Sequence, residues 1–279
     1  MGLCSSNWCP WIINRDKITM GAKIGEGNFG RVVAGAYFGT KVAVKQLYKT
    51  KLDDLALTKM RKEAAILSGL DHPNIVKLIG LCVSSNGDGG PMLVMELVPR
   101  GNLRALLADG SVRLGWKQKL AMLRDAALGL AYLHSRGIVH RDIKSSNLLV
   151  EKNLTVKVGD FGFATAKQDN GTQTRCGTPC WTAPEIISGT TAKYSEKADV
   201  YSFAIVMWEV LTRKAPYQDK NMMTVALNVI NGDRPPVPAD CPKAFGDIMQ
   251  RAWKAKPDRR PTMEDLLMYF NSELGTDRV

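Results

Sequence analysis

The order of apolar patterns predicts an α+β fold in two lobes: a small antiparallel β lobe with one key helix, then a larger, mainly helical lobe. Three observations carry it. Alternating apolar residues dominate the first hundred positions: Ile18, Met20, Ala22 and Ile24, then Val42 and Val44 against Ala43, Lys45 and Leu47. One helical spacing, Leu57, Met60, Ala64 and Leu67, interrupts them. Past Pro99-Arg100-Gly101 the period changes. Leu120, Leu123, Ala127 and Leu130 mark one long helix, and Phe245, Ile248, Met249, Ala252 and Trp253 mark another. The expected organisation is an N-terminal extension at 1–16, a first lobe at 17–98 with a hinge near 96–99, and a second lobe at 99–272.

The 279 residues, 45% hydrophobic and 23% charged, can bury a core without disulfide or metal staples. The longest apolar run, Phe203 to Trp208, is far short of the roughly 20 residues of a membrane-spanning helix. Trp11-Ile12-Ile13 is too short for the apolar part of a secretory signal. Cysteines at 4, 9, 82, 176, 180 and 241 lack the density of a disulfide framework, so a reducing, cytoplasmic location is expected. Lys and Arg total 38 against 27 Asp and Glu, a net charge of +11. That excess favours anionic partners. The basic clusters are short, however, and no aromatic residues interleave with them, so no nucleic acid is expected.

Gly25-Glu26-Gly27-Asn28-Phe29-Gly30-Arg31-Val32 fits G-x-G-x-x-G-x-V. Glycines there let backbone amides approach phosphate oxygens. A dinucleotide-binding loop would open a helix; here β-branched Val32-Val33 and then Tyr37-Phe38 continue a hairpin, which argues against a nicotinamide-dependent oxidoreductase. In the next strand, Ala43 and Lys45 project from one face. Small Ala43 leaves room for a flat base, and Lys45 reaches phosphates. Lys45 lies among apolar neighbours and so needs a carboxylate; Glu63 on the following helix is the candidate, the alternative being a solvent-facing Glu63 paired with Lys59 or Lys62.

His140-Arg141-Asp142-Ile143-Lys144-Ser145-Ser146-Asn147 matches H-R-D-x-K-x-x-N, a coincidence with odds of roughly one in ten thousand over this length. Asp160-Phe161-Gly162 and Ala183-Pro184-Glu185 follow in order. On these motifs the sequence resembles the eukaryotic protein kinase family over about residues 17–272, and hence its bilobal fold. Cys180-Trp181-Thr182-Ala183-Pro184-Glu185 and Arg234-Pro235-Pro236-Val237-Pro238 are similar to the tyrosine-kinase-like group of serine/threonine kinases.

The resemblance implies an ATP- and Mg²⁺-dependent transfer of the γ-phosphoryl group to Ser or Thr hydroxyls of proteins, in intracellular signalling. It gives Asp142 the acceptor proton, Lys144 and Lys45 the phosphoryl charge, and Asn147 and Asp160 the Mg²⁺, with Mn²⁺ as an alternative. ATP would be held by Ile24, the glycine loop from Gly25 to Val32, Ala43, Lys45, Glu63, Met95 at the gate, Glu96 and Val98 of the hinge, and Leu149. Asp199 braces the catalytic loop, Glu185 and Arg260 anchor the activation segment, and His140 packs with Phe161. Thr172 and Thr174 are the phosphorylation candidates, with Arg141 as the cation to receive them. Lys144 with Ser145-Ser146, and Gly177-Thr178-Pro179, resemble Ser/Thr rather than Tyr kinases. Alternatives are a nucleotide-binding scaffold without turnover and a dual-specificity kinase. His134 and His140 have no cysteines at zinc spacing, and C-x3-C at Cys176 and Cys180 lacks a second pair.

At the N-terminus, Met1-Gly2-Leu3-Cys4-Ser5-Ser6 fits a myristoylation pattern, with Cys4 placed for palmitate beside Gly2 and hence for membrane association. The plainer reading is that Met-Gly precedes a domain belonging to a longer chain, and so short a match favours that reading.

Overall fold

The computed structural model describes residues 11–27, 30–47, 54–83, 90–166, 178–189 and 194–276. The chain divides into two compact units, Met1–Val98 and Pro99–Val279.

The first unit is built on five strands, β1 (Ile18–Gly27), β2 (Gly30–Tyr37), β3 (Thr40–Leu47), β4 (Leu78–Cys82) and β5 (Met92–Glu96), with α1 (Asp54–Ser68) between β3 and β4. All pairings are antiparallel, in the order β1-β2-β3-β5-β4. Alternation in β3 puts Val42 and Val44 into a core with Val33, Cys82, Met92 and Val94. Met60, Ala64 and Leu67 form the buried stripe of α1. β1 departs from its alternating pattern. Register shifts between Met20 and Lys23, and again before Gly25, rotate the strand, leaving Met20 38% and Ile24 50% exposed.

β4 would be an open edge, but the chain entering the sheet covers it. Ile12 bridges Leu81 in parallel; the Ile13 amide donates to the Leu81 carbonyl at 3.0 Å, and the Leu81 amide to the Trp11 carbonyl at 2.7 Å. Gly80 makes this approach possible: a Cβ there would lie 2.5 Å from Ile13 Cγ2 and 2.9 Å from the Trp11 carbonyl oxygen.

The second unit contains α2 (Leu103–Ala108), α3 (Trp116–Ser135), β6 (Ile138–Val139), β7 (Leu148–Val150), β8 (Val156–Val158), β9 (Thr165–Ala166), α4 (Pro184–Ser188), α5 (Glu196–Thr212), α6 (Met222–Ile230), α7 (Lys243–Ala252) and α8 (Met263–Leu274). Strands pair as β6-β9 and β7-β8. α5 is buried from Ala198 to Val210 on every side, the mark of a central helix. It packs on α3 and α7, while α8 packs on α3. Asn102 and Thr262 cap α2 and α8 through their side chains. Arg213, ending α5, donates to the carbonyls of Leu107, Val112 and Asp109 at the far end of α2. This is the two-lobe α+β architecture predicted from the patterns. No helix among the described residues is long and apolar enough to cross a membrane.

Gly80→Ala is expected to displace the Trp11–Ile13 segment, because backbone as well as a side chain stands in the way. Melting should show a loss of about 1–3 kcal/mol, and amide exchange at Leu81 should accelerate. Unchanged protection at Leu81 would contradict this account of the edge.

Candidate active site

In the first unit, Lys45 Nζ lies 2.9 and 3.0 Å from the two carboxylate oxygens of Glu63. Glu63 is only 4% exposed, so the solvent-facing alternative does not hold. β3 supplies Lys45 and Ala43 on one face, opposite Leu93 and Met95 of β5. The glycine loop spans the end of β1 and the start of β2. At Gly30 a Cβ would overlap the Gln46 carbonyl, so only glycine permits this approach of β2 to β3. Arg31 Nε donates to Gln46 Oε1, and Glu26 pairs with Lys23 on the surface. Asn28 and Phe29 lie outside the described residues. Val32, Met95 and Glu96 are half-buried and Val98 is buried; the Glu96 carboxylate accepts from the Lys77 amide at 2.8 Å.

In the second unit the loop between β6 and β7 is held from beneath by Asp199. One of its oxygens accepts the His140 amide at 2.9 Å, the other the Arg141 amide at 2.9 Å, and His134 Nε2 lies 3.0 Å from the first. Burial would raise this carboxyl; the His134 contact and the nearby imidazoles outweigh it and hold it below the usual range. The amides converge because Arg141 adopts φ 71°, a left-handed conformation unfavourable for a bulky residue. His140 Nε2 faces the Gly159 carbonyl at 3.0 Å, so Nδ1 is the acceptor for the Asp142 amide at 3.3 Å. Its ring meets Phe161 edge-on, with centroids 5.1 Å apart.

Two side chains converge on Asp142. Asn147 Nδ2 donates to its carbonyl at 2.7 Å and to Oδ2 at 2.9 Å, while Lys144 Nζ reaches Oδ2 at 2.8 Å. Lys144 also donates to Thr178 Oγ1 at 3.3 Å. The Gly159 amide donates to the Asn147 carbonyl at 2.9 Å, tying Asp160, with φ 58°, next to Asn147. With its amide nitrogen turned to Asp142, Asn147 has its side-chain oxygen left to coordinate. An amide oxygen beside an exposed carboxylate suits a hard cation that keeps most of its waters. Leu149 is half-buried on β7.

Glu185 and Arg260 form a buried bidentate pair at 2.7 Å on both arms. The three remaining guanidinium hydrogens go to the carbonyls of Lys254, Lys197 and Ala255, so all five donors are used. Arg141 stacks on Tyr194, 3.9 Å from the ring centroid. Thr172, Thr174 and Cys176 lie outside the described residues, as do Gly2 and Cys4. Among the described residues no cluster of His, Cys, Asp and Glu forms a metal site, and Cys180 is a free, buried thiol.

Sequence reading missed Glu209 and Tyr194. Glu209 accepts from Ser145 Oγ at 2.7 Å and from Trp181 Nε1 at 2.8 Å, linking the catalytic loop to the segment after Thr178. Its signal was present: a lone carboxylate in the apolar run of α5. Burial pushes it up to about 7, against the pull of Ser145, Trp181 and Arg104.

A two-unit fold with this braced loop is that of a protein kinase domain. The family described as protein tyrosine and serine/threonine kinase matches residues 18–270, and the chain belongs to it. It is 46% identical over 278 residues, 99% of this chain, to a protein of Acanthamoeba polyphaga mimivirus whose name assigns it as a serine/threonine-protein kinase/receptor. It is 42% identical over 259 residues, 92% of its length, to drkD of Dictyostelium discoideum, named as a serine/threonine-protein kinase. It is also 42% identical over 267 residues, 92% of its length, to the dual specificity protein kinase shkA of Dictyostelium discoideum. The chain spans 16%, 20% and 50% of those three relatives, respectively.

Because the fold raises the Glu209 carboxyl from 4.5 to about 7, its protonated form is the one the fold favours. That contribution is complete below 4.5 and disappears as pH climbs to about 7. Against Glu209→Gln, which does not titrate, the unmodified chain should lose stability by up to about 3 kcal/mol across that window and stay level above it. A flat difference between the two denaturation curves would show that Glu209 ionises as it does in water.

Proposed function

We propose that the chain transfers the γ-phosphoryl group of ATP to serine and threonine hydroxyls of protein substrates, as part of a longer signalling protein. The observation that carries this is the Asp142–Lys144–Thr178 contact series, a carboxylate, an ammonium and a loop threonine at 2.8 and 3.3 Å. The Asp142 carboxylate takes the acceptor proton as the hydroxyl oxygen bonds to the γ-phosphorus, and the bond to the bridging β–γ oxygen breaks to release ADP. Lys144 offsets charge on the moving phosphoryl group. Asn147 also bonds Asp142, so the base and the proposed metal ligand keep each other's orientation. Asn147 and Asp160 would hold Mg²⁺, or Mn²⁺ in its place, which when bound neutralises the β- and γ-phosphates.

On the first unit, Lys45, kept in position by Glu63, is proposed to bind phosphate oxygens. Ile24, Gly25, Glu26, Gly27, Asn28, Phe29, Gly30, Arg31, Val32, Ala43, Met95, Glu96 and Val98 complete the nucleotide contacts proposed there, and Leu149 serves on the second unit. The presence of Lys45, Glu63, Asp142, Asn147 and Asp160 supports turnover over a scaffold without it. Phosphate on Thr172 or Thr174 is proposed to order the activation segment, and lipid on Gly2 and Cys4 would bring the chain to a membrane.

Incubation with Mg²⁺ and ATP and mass spectrometry of a peptide library test the reading. Phosphoserine and phosphothreonine are expected to dominate. Mixed Ser, Thr and Tyr labelling would favour the dual specificity carried by the name of the shkA relative. Asp142→Asn should lower turnover by about 10²-fold or more with nucleotide affinity little changed; wild-type turnover in that variant would remove Asp142 from the mechanism.

A further inference from the structure

We propose that Arg104, seated over Glu209, is a specificity-determining residue that selects acceptor peptides carrying an acidic side chain near the target hydroxyl and rejects basic ones. The inference rests on the phosphoryl-transfer reading above and concerns the acceptor side of the same site.

Arg104 lies in the first turn of α2, whose other face is buried through Leu103, Leu106 and Leu107. That packing turns Arg104 outward: its side chain is 48% exposed, yet Nη1 stays 3.6 Å from Glu209 Oε1. An ordinary surface pair would mean little. Here the partner is a carboxylate 2% exposed, and both its oxygens are already engaged by Ser145 and Trp181. Ser145 directly follows Lys144, which contacts Asp142 and Thr178. The Trp181 amide donates to the Thr178 carbonyl at 2.9 Å. Arg104 is therefore fixed to the two segments proposed to meet the acceptor, within reach of about three residues of extended peptide on one side of the hydroxyl.

The charges facing Glu209 decide the sign. Ser145 and Trp181 contribute neutral donors, Cys180 is a buried thiol with its pKa raised, and among the described residues Arg104 is the cation paired with Glu209. Asp142 is matched by Lys144. Burial drives Glu209 toward neutrality near pH 7, so the positive charge of Arg104 is only partly compensated. A peptide meets this guanidinium, not the carboxylate behind it. An acidic or phosphorylated side chain gains a charge-assisted contact, and a basic one is repelled. The net charge of +11 acts in the same direction at longer range.

The test uses three peptides with one serine acceptor, differing only in whether the residues flanking it are Asp, Ala or Arg. The kcat/KM ratio of the Asp to the Arg peptide is measured for the unmodified chain, Arg104→Ala and Arg104→Glu. Taking the ratio within each variant cancels any general loss of activity. The unmodified chain should favour the Asp peptide roughly tenfold, with the preference narrowing at high salt. Arg104→Ala should bring the ratio near unity, and Arg104→Glu should reverse it. A ratio near or below unity in the unmodified chain overturns the proposal, as does a preference that survives in both variants. Transfer to all peptides at equal rates sinks this inference alone; no transfer and no ADP from the unmodified chain sinks the kinase reading with it.

Discussion

A fully buried carboxylate ordinarily costs a fold several kcal/mol, and Asp199 is tolerated because donors converge on it. Two backbone amides and an imidazole supply them, and the carboxyl is held below its usual range despite its burial. The same bonds keep Arg141 in a left-handed conformation that an unsupported chain would leave. With Arg141 fixed, the next residue, Asp142, is presented at a set angle, and Asn147 and Lys144 close on it. The loop has almost no regular structure of its own, so its precision is borrowed from α5.

α5 lends more than Asp199. Asp199, Ser202 and Glu209 fall on one stripe of the helix, three and then seven residues apart. Asp199 holds the start of the catalytic loop, Ser202 donates to the Trp181 carbonyl at 2.7 Å, and Glu209 joins Ser145 to Trp181. At the N-terminal end, Lys197 donates to the carbonyls of Arg260 and Pro261, and its own carbonyl accepts from Arg260. Through Arg260 and Glu185 the helix also fixes α4. One apolar helix with a narrow polar stripe thus carries the catalytic loop and the segment from Thr178 to Glu185.

What the sequence made legible follows from this geometry. Side chains that meet within one loop, such as Asp142, Lys144 and Asn147, sit close together in the chain, and their spacing is a motif. Strand and helix order was readable because the periods of 2 and 3.6 are local. The fixed register of β3 likewise made Lys45 and Ala43 legible as neighbours on one face. The stripe on α5 was legible only at Asp199. Glu209 reaches Ser145 across 64 positions of sequence, and nothing local to Phe203–Val210 says which loop its carboxylate meets. β1 is the strand its apolar alternation predicts, but the bulges that break its register left no mark in that alternation. The partnership of Arg141 with Tyr194, 53 positions on, left no mark in the sequence either.

The two carboxylates of α5 also show how donor number sets charge. Both are almost wholly buried, so desolvation raises both. Asp199 receives backbone amides on each oxygen and an imidazole besides, and its charge survives. Glu209 receives a hydroxyl, an indole and a guanidinium no nearer than 3.6 Å, and its carboxyl rises to about 7. A brace is better kept charged, because a neutral carboxyl would hold the His140 and Arg141 amides, and with them the left-handed Arg141, more weakly. A link between loops has no such requirement, since a protonated Glu209 still accepts from Ser145 or Trp181. One helix face therefore holds a permanent anion under the catalytic loop and a conditional one beside the segment following Thr178.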